Sequence, residues 1–318
     1  MDIHSHFLAR LRWYLYRFIV LLLLVTIVLV VYVYYPVMNF SESEFISRKG
    51  SLQTVKITRQ WQEHHSLYTE AVLIASTGLS VEILLRRPEN QNAAAPVVVL
   101  LGGAGTGRSA CRLITTYSKL ICASINYPYH GKKKPAGIEY LLQLHAMQAA
   151  IQDTPAAILL LLDYLARDAD VDTGHIELVG VSLGAFLVSI PAVLDERVRR
   201  VWLVQGAAEP VNVIRHNYLN EFKPEFMGNI AAQLLGWSLG SHYIDPQKWI
   251  GRFSPRPVVI INSEKDEALP RSSVIQLHAA AKQPKEIIWT SSEHIRPTRQ
   301  DIIDQLSEIV IKRIEQSD

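Results

Sequence analysis

The sequence predicts an α/β protein: a mostly parallel sheet with helices on both faces, a small helical cap, and a transmembrane helix ahead of the folded domain. Three observations carry this. An uncharged apolar run extends from Phe18 to Tyr35, the length of a bilayer span. Two strand-like stretches around Gly78 are followed by strands and helices in alternation, the pattern of a sheet covered on both sides. Between Pro210 and Arg252 the alternation lapses into aromatic-rich helical sequence, the right size for an inserted cap. The organisation expected is a short cytoplasmic segment at 1–17, an anchor at 18–35, a tether at 36–66, and one folded domain at 67–318 with its cap at 210–252.

The anchor comes first. At ~1.5 Å per residue the apolar run covers about 27 Å, close to the hydrocarbon thickness of a bilayer. Trp13, Tyr14 and Tyr16 stand at one end and Tyr32, Tyr34 and Tyr35 at the other, where amphipathic rings favour the interface. A cleaved signal peptide is the competing reading, but the run is long for an h-region and "VYVYYPVMNF" offers no small-residue cleavage pair. Arg10, Arg12 and Arg17 precede the span, whereas Arg48 and Lys49 follow at a distance. The positive-inside tendency therefore puts the N-terminus in the cytoplasm and the folded domain on the other side. Beyond the span, "NFSESEFISRKGSLQ" is polar without a clear period and reads as the tether.

With 318 residues and 49% hydrophobic content, the chain holds ample material for a buried core. Its 32 basic and 30 acidic residues leave a formal charge of +2, and the longest basic run, Lys132-Lys133-Lys134, reads as a solvated loop. A nucleic-acid partner is not expected. Cys111 and Cys122 are the only cysteines, so neither a disulfide framework nor a thiolate metal site is indicated. His64-His65 beside Glu63 are adjacent in the polar tether, poor geometry for a chelate. No metal and no cofactor are expected.

The folded domain follows in order. "YTEAVLIAS" and "LSVEILLRR" read as paired strands, "NQNAAAP" as a loop, and "VVVLL" as a fully buried strand. "LICASIN", "HIELVG", "VRRVWLVQG", "RPVVIINS" and "KEIIWT" are further strands. Helices are expected over "GIEYLLQLHAMQAAI", "PAAILLLLDYLARD", "LGAFLVSIPAVLD", "RSSVIQLHAAAKQ" and "TRQDIIDQLSEIVIKRIEQ". Within the cap, Tyr218, Phe222, Phe226, Trp237, Tyr243 and Trp249 are candidates for lining or packing. His145, His175 and His278 read as packing or surface residues.

"VVVLLGGAGTGRSA" admits two chemistries. From Gly102 to Ser109 it nearly spells the phosphate loop G-x-x-x-x-G-K-[ST], with Arg108 in place of the lysine. Alternatively its backbone N–H groups serve a developing oxyanion beside a catalytic serine. The planar guanidinium of Arg108 is a poor substitute for a point-charge lysine, and no neighbouring strand ends in a magnesium-binding acid, so the oxyanion reading is favoured.

G-x-S-x-G occurs twice, around Ser182 and Ser238. Only Ser182 follows a strand and opens a helix, the setting that thrusts a serine hydroxyl out of a sheet. A serine needs a base to take its proton, and the base needs a carboxylate to orient it. Asp266 in "EKDEALP" and His294 in "SSEHIRP" each follow a strand, so both belong to the edge of the sheet where Ser182 lies. Glu264 and Glu267 compete with Asp266 for the acid.

The residues "GGAG", "GVSLGA", "SPRPVVIINSEKDEALP" and "SSEHIRP" together resemble the α/β-hydrolase superfamily, particularly its esterase, dienelactone-hydrolase and prolyl-oligopeptidase-like members. The similarity covers roughly Leu67 to Gln316. It implies the α/β-hydrolase fold, with Ser182 as nucleophile, His294 as general base and acid, and Asp266 as orienting carboxylate. It also implies an oxyanion hole from the N–H of Leu183 and one N–H of the Gly102, Gly103, Ala104 loop. "NYPYHGKKKP" resembles a family loop that borders the site, which makes Tyr129 and His130 possible substrate-lining residues. The sequence departs from the family at Ser263 and Glu293, where glycines are usual. The function expected is a membrane-anchored serine hydrolase, a carboxylesterase acting through an acyl-enzyme on a small-molecule or lipid ester. A thioesterase, lipase-like or peptidase-like hydrolase and a catalytically silent binding module are the alternatives.

Overall fold

The computed structural model describes residues 3–38, 40–91, 93–116, 118–132, 135 and 137–316; Lys133 and Lys134 of the basic loop lie outside them. The chain divides into two units, Met1–Asn39 and Phe40–Asp318. In the first, helix α1 (Ile3–Tyr34) runs unbroken through the expected N-terminal segment and most of the expected span. From within α1 through the 3-10 turn that follows it, the stretch Arg10–Val37 is long and apolar enough to cross a membrane. The hydroxyl of Thr26 donates to Leu22 O at 2.8 Å, which satisfies it without solvent. Arg17 lies over the Trp13 ring, 3.4 Å from its centroid.

The second unit opens with α2 (Glu42–Lys49), capped by Ser41, whose Oγ accepts the Glu44 N–H. Glu42 and Glu44 in its first turn and Arg48 and Lys49 in its last complement the helix dipole. Phe45 is buried, and Arg48 and Lys49 pair with Asp153 at 2.7 Å and Asp163 at 2.6 Å on a later helix. Strand β1 (Leu52–Glu63) then turns through His64-His65, both at positive φ as a two-residue hairpin demands, into β2 (Ser66–Ala75). The tether expected at 36–66 is thus corrected: from Phe40 onward the chain is folded. Only Leu52 of β1 is buried, so the strand is held by backbone pairing rather than by an apolar face. Lys56 and Arg59 mark an exposed edge rather than a linker.

The remaining elements are β3 (Ser80–Pro88), β4 (Ala95–Leu101), α3 (Ala110–Leu113), β5 (Ile121–Ile125), α4 (Ile138–Leu165), β6 (Val171–Val181), α5 (Leu183–Leu187), α6 (Ser189–Leu194) and β7 (Val198–Val204). There follow α7 (Pro210–Tyr218), α8 (Glu225–Ser238), α9 (Pro246–Trp249), β8 (Val258–Ser263), α10 (Arg271–Ala280), β9 (Lys285–Thr290) and α11 (Gln300–Glu315). The nine strands form one sheet in the order β1-β2-β3-β5-β4-β6-β7-β8-β9. Pairing is antiparallel from β1 to β5 and parallel from β5 to β9.

Alternation along the strands builds two core layers. Val97, Val99 and Leu101 of β4 join the layer beneath α4, α5, α6 and α10. Val98 and Leu100 face the layer beneath α3 and α11, which also holds Cys111 and Cys122 with sulfurs 2.6 Å apart. The two helices expected between β5 and β6 are one helix, α4, with Pro155 inside it. An internal proline costs about 3 kcal/mol, and the burial of nearly all of the stretch from Ala156 to Leu165 offsets it. The cap helices α7, α8 and α9 occupy the connection between β7 and β8. Ser238 ends α8 and pins the cap to α4, through Tyr140 Oη at 2.9 Å and through Gln148 Nε2, which donates to Ser238 O at 2.6 Å.

Candidate active site

Strand β6 delivers Ser182 at the carboxyl edge of the sheet. There the backbone takes φ 53° and ψ −114° before entering α5, a conformation ordinary residues avoid and one that stores about 1–3 kcal/mol of strain. The Ser182 N–H donates to Val204 O at 2.9 Å and holds the turn against the next strand. Space explains both flanking glycines. A Cβ on Gly184 would sit 2.0 Å from Leu101 O, and one on Gly180 would sit 2.4 Å from Val188 Cγ2. This close approach brings the end of β4 against the turn, so that a Cβ on Gly103 would lie only 3.5 Å from Ser182 Cβ.

Loops after β8 and β9 supply the other two groups. Ser182 Oγ lies 2.8 Å from His294 Nε2, and His294 Nδ1 lies 2.8 Å from Asp266 Oδ2. The Asp266 side chain is 3% exposed, and its Oδ1 accepts the N–H groups of Ala268 at 2.9 Å and Leu269 at 3.1 Å. Three hydrogen bonds thus fix the carboxylate. With Nδ1–H donating to it, the Nε2 lone pair faces the serine hydroxyl. Leu183 opens α5, and its N–H has no carbonyl within that helix to bind. Gly103 and Ala104 line the cavity beside Ser182, and Gly103 O is engaged by Thr106 Oγ1 at 2.8 Å.

Gln205, His216 and Asn217, which help hold this arrangement, carry no motif in the sequence, and Ser263 and Glu267 take roles there that the sequence does not assign them. Gln205, fully buried at the end of β7, spans His294: its Nε2 donates to Glu293 O at 3.0 Å and its Oε1 accepts the Ile295 N–H at 2.6 Å. The same Nε2 donates to Ser263 Oγ at 2.6 Å, and Ser263 Oγ also meets the hydroxyls of Thr290 and Ser292 at 2.7 Å each. The unusual serine at 263 therefore belongs to a buried polar network beneath the histidine loop. The signal for Gln205 was a polar residue closing an apolar strand just before Gly206. Glu267 accepts the His294 N–H at 3.1 Å and pairs with Arg296. Burial opposes its charge, yet that N–H and the guanidinium outweigh it and hold the carboxyl below its usual range. From the cap, His216 and Asn217 of α7 reach Glu267 O at 2.9 Å and Ala268 O at 2.8 Å, bracing the loop that carries Asp266.

Ser182 and His294 open onto a cavity of about 310 Å³. It descends between the sheet and the pair α3 and α11, with Val98, Leu100 and Val179 on one wall and Leu306, Val310 and Ile311 on the other. Arg86 and Ser118 also line it, and Cys122 contributes a buried thiol. Tyr129 and His130, expected as lining, do not reach it. Tyr129 Oη is spent on Gln143 Oε1 at 2.6 Å and Lys132 O at 2.9 Å, and His130 is exposed. None of the six cap aromatics lines it either: Trp249 is in the core, and Tyr218, Phe222, Phe226 and Trp237 face solvent. Arg108 pairs with Glu70 at 3.4 Å and Glu82 at 3.2 Å, which neutralises the cation a phosphate would need. Among the described residues no group of three or more His, Cys, Asp or Glu side chains is placed to hold a metal.

No family model matches the chain. Uncharacterized protein YfhR of Salmonella typhimurium is 25% identical over 213 residues, 66% of each chain, so the match spans just under two thirds of that relative's length. Solved structures match more of the chain. Acetyl xylan esterase from Paenibacillus sp. R4 superposes with a TM-score of 0.65 at 15% identity, covering 86% of this chain and 92% of its own. A cold-adapted esterase from an Arctic intertidal metagenomic library gives 0.54 at 14% identity, with 81% and 98% covered. The alpha/beta hydrolase GrgF from Penicillium sp. sh18 gives 0.50 at 14%, with 77% and 98% covered. The mostly parallel sheet, the strained turn at Ser182 and these superpositions lead to one conclusion: the chain has the α/β-hydrolase fold.

Proposed function

We propose that the protein hydrolyses carboxylic esters through an acyl-enzyme on Ser182 and is anchored in a membrane by α1. The observation that carries the reading is the hydrogen-bonded chain Ser182–His294–Asp266 at 2.8 Å and 2.8 Å, opening on an apolar cavity. As Ser182 Oγ attacks the ester carbonyl, its proton passes to His294 Nε2 and the carbonyl electrons move to oxygen. The oxyanion takes hydrogen bonds from the N–H of Leu183 and from that of Gly103 or Ala104. Asp266 keeps Nδ1 protonated and stabilises the imidazolium. Collapse expels the alkoxide, which leaves with the proton on Nε2. Water, deprotonated by the same nitrogen, then releases the acid and restores Ser182. Thioesters and lipid esters follow the same path. The fold neighbours named as esterases support the ester class, the apolar length of α1 supports anchoring, and Arg10, Arg12 and Arg17 ahead of the apolar run are the ground for placing the folded domain outside the cytoplasm.

The test is fluorophosphonate labelling of the full chain, with the modified peptide located by mass spectrometry and p-nitrophenyl acetate turnover measured alongside. Labelling at Ser182 is expected, lost with turnover in Ser182→Ala and kept in Ser238→Ala. A folded protein that neither labels nor hydrolyses esters is a binding module, and the proposal falls.

A further inference from the structure

We infer that the cavity behind Ser182 is a slot for a straight aliphatic acyl chain of about eight to ten carbons, so that medium-chain esters are the substrate class. This rests on the acyl-enzyme reading above. The slot starts at the nucleophile. Along β4 its lining runs from Gly102 at the mouth through Leu100 to Val98, four residues deeper, or about 13 Å at ~3.3 Å per residue. On the opposite wall, α11 lines it from Ile303 to Ile311, eight residues or about 12 Å at 1.5 Å each. Two walls of different secondary structure therefore give the same depth. An extended alkyl chain advances about 1.25 Å per carbon, from bonds of ~1.52 Å in a zigzag, so this depth takes about ten carbons.

The chemistry of the walls points the same way. Among the described residues no Phe, Tyr or Trp lines the cavity, and its sides are mostly Val, Leu, Ile and Ala, with Ser307 and Cys122 interspersed. A core layer between sheet and helices is ordinarily filled to crystal-like density, and an apolar hole of this size left empty is strongly destabilising. Opening that hole onto a nucleophile makes it a ligand site rather than a packing fault. Polar groups mark its far end, level with Val98, where Arg86 and Ser118 also border a second pocket of about 300 Å³. Arg86 is 7% exposed and donates Nη1–H to Ile114 O, and Ser118, also 7% exposed, has a buried Oγ without a hydrogen-bond partner among the described residues. A methyl terminus stops short of this floor. A longer chain would run against the Arg86 guanidinium and the Ser118 hydroxyl, polar groups that an alkyl terminus cannot bind, which sets an upper limit on length.

The experiment measures kcat/KM for p-nitrophenyl acetate, butyrate, octanoate, decanoate and palmitate with the full chain in phospholipid nanodiscs. Retention of radiolabelled decanoate over empty nanodiscs is measured in parallel. Octanoate or decanoate is expected to exceed acetate by at least tenfold, a small part of the roughly fourfold per methylene that complete burial supplies, and palmitate to fall below decanoate. Val310→Trp fills the slot from α11, and Val98→Phe fills it from the sheet should the first variant not fold. Either brings the octanoate-to-acetate ratio toward one and removes the excess decanoate. A flat or acetate-favouring profile, or a ratio unmoved by a folded blocking variant, overturns the slot even if acetate is turned over. Decanoate retained and lost on blocking, with no ester hydrolysed, keeps the slot and removes the esterase reading instead.

Discussion

Replacing Gln205 by Leu is expected to lower kcat about 100-fold without touching Ser182, Asp266 or His294. The side chain makes three hydrogen bonds, to Ser263 Oγ, Glu293 O and the Ile295 N–H, and the last two flank His294 on either side. Leucine has nearly the same volume, so packing is kept while each bond, worth about 1 kcal/mol net, disappears. Two backbone groups are then left unpaired in a partly buried site, where water recovers part of the ~1–3 kcal/mol for each, so the histidine loop loses about 2–4 kcal/mol of tethering. Other ties remain: Ser292 is bound to Ser263 at 2.7 Å, and the His294 N–H to Glu267 at 3.1 Å. The loop therefore shifts rather than unfolds, and displacing a catalytic group by ~1 Å costs about 100-fold. The assay combines ester kcat and KM, the second-order rate of fluorophosphonate labelling, and thermal unfolding. Both kcat and the labelling rate should fall together while KM moves less than threefold. Gln205→Glu keeps the acceptor for Ile295 but turns an oxygen toward Glu293 O, and should lie between wild type and Gln205→Leu. A Gln205→Leu protein that melts lower yet keeps kcat within threefold would refute the reasoning, leaving Gln205 a purely structural residue.

Two further outcomes are expected. Burial, with Arg271 and Lys285 nearby, lowers the His278 pKa to about 4, and the neutral ring bonds Asn262 Oδ1 at 2.9 Å. Its folded pKa lies below the unfolded ~6.5, so the unfolded chain binds more protons between those values. The stabilisation is complete above about pH 6.5 and lost as pH falls toward 4, on the order of 1–2 kcal/mol after solvent screening. Urea midpoints at pH 7.5 and pH 5 should show the loss, reduced in His278→Gln; an equal loss in the variant assigns it elsewhere. The second outcome concerns truncation. The full chain should resist alkaline extraction from membranes, and a chain starting at Phe40 should be soluble and folded. A chain starting at Leu67 loses α2, β1 and the burial of Phe45, a side chain worth about 3–5 kcal/mol, and exposes the β2 edge. Equal urea midpoints for the two truncated chains would restore the tether reading.

Where the chain carries a one-sided pattern, the structure agrees with it. All but the last residue of the uncharged run near the N-terminus lies within a single helix, and each fully apolar stretch after Gly78 is a strand or a buried helix. Strand β1 was illegible because an edge strand is held by hydrogen bonds to its neighbour, and those leave no mark on side-chain polarity. Pro155 read as a boundary since local propensity opposes a proline inside a helix, whereas tertiary burial of the residues after it overrides that preference.

Ser182, Asp266 and His294 were legible because each follows a strand, and in a parallel sheet those ends share one edge. Sequence by itself thus determined the fold class, the long apolar N-terminal helix and the residue types brought to that edge, all of which follow from local pattern and chain order. Only the tertiary structure decided that Gln205 clamps the histidine loop, that Ser263 joins that network, and that Tyr129, His130 and the cap aromatics stand away from the cavity. Only it, too, placed a deep slot between β4 and α11, elements some two hundred residues apart. The physical reason is that pattern along a chain records which face of each element is apolar. The space left between two such faces depends on how distant side chains meet across them.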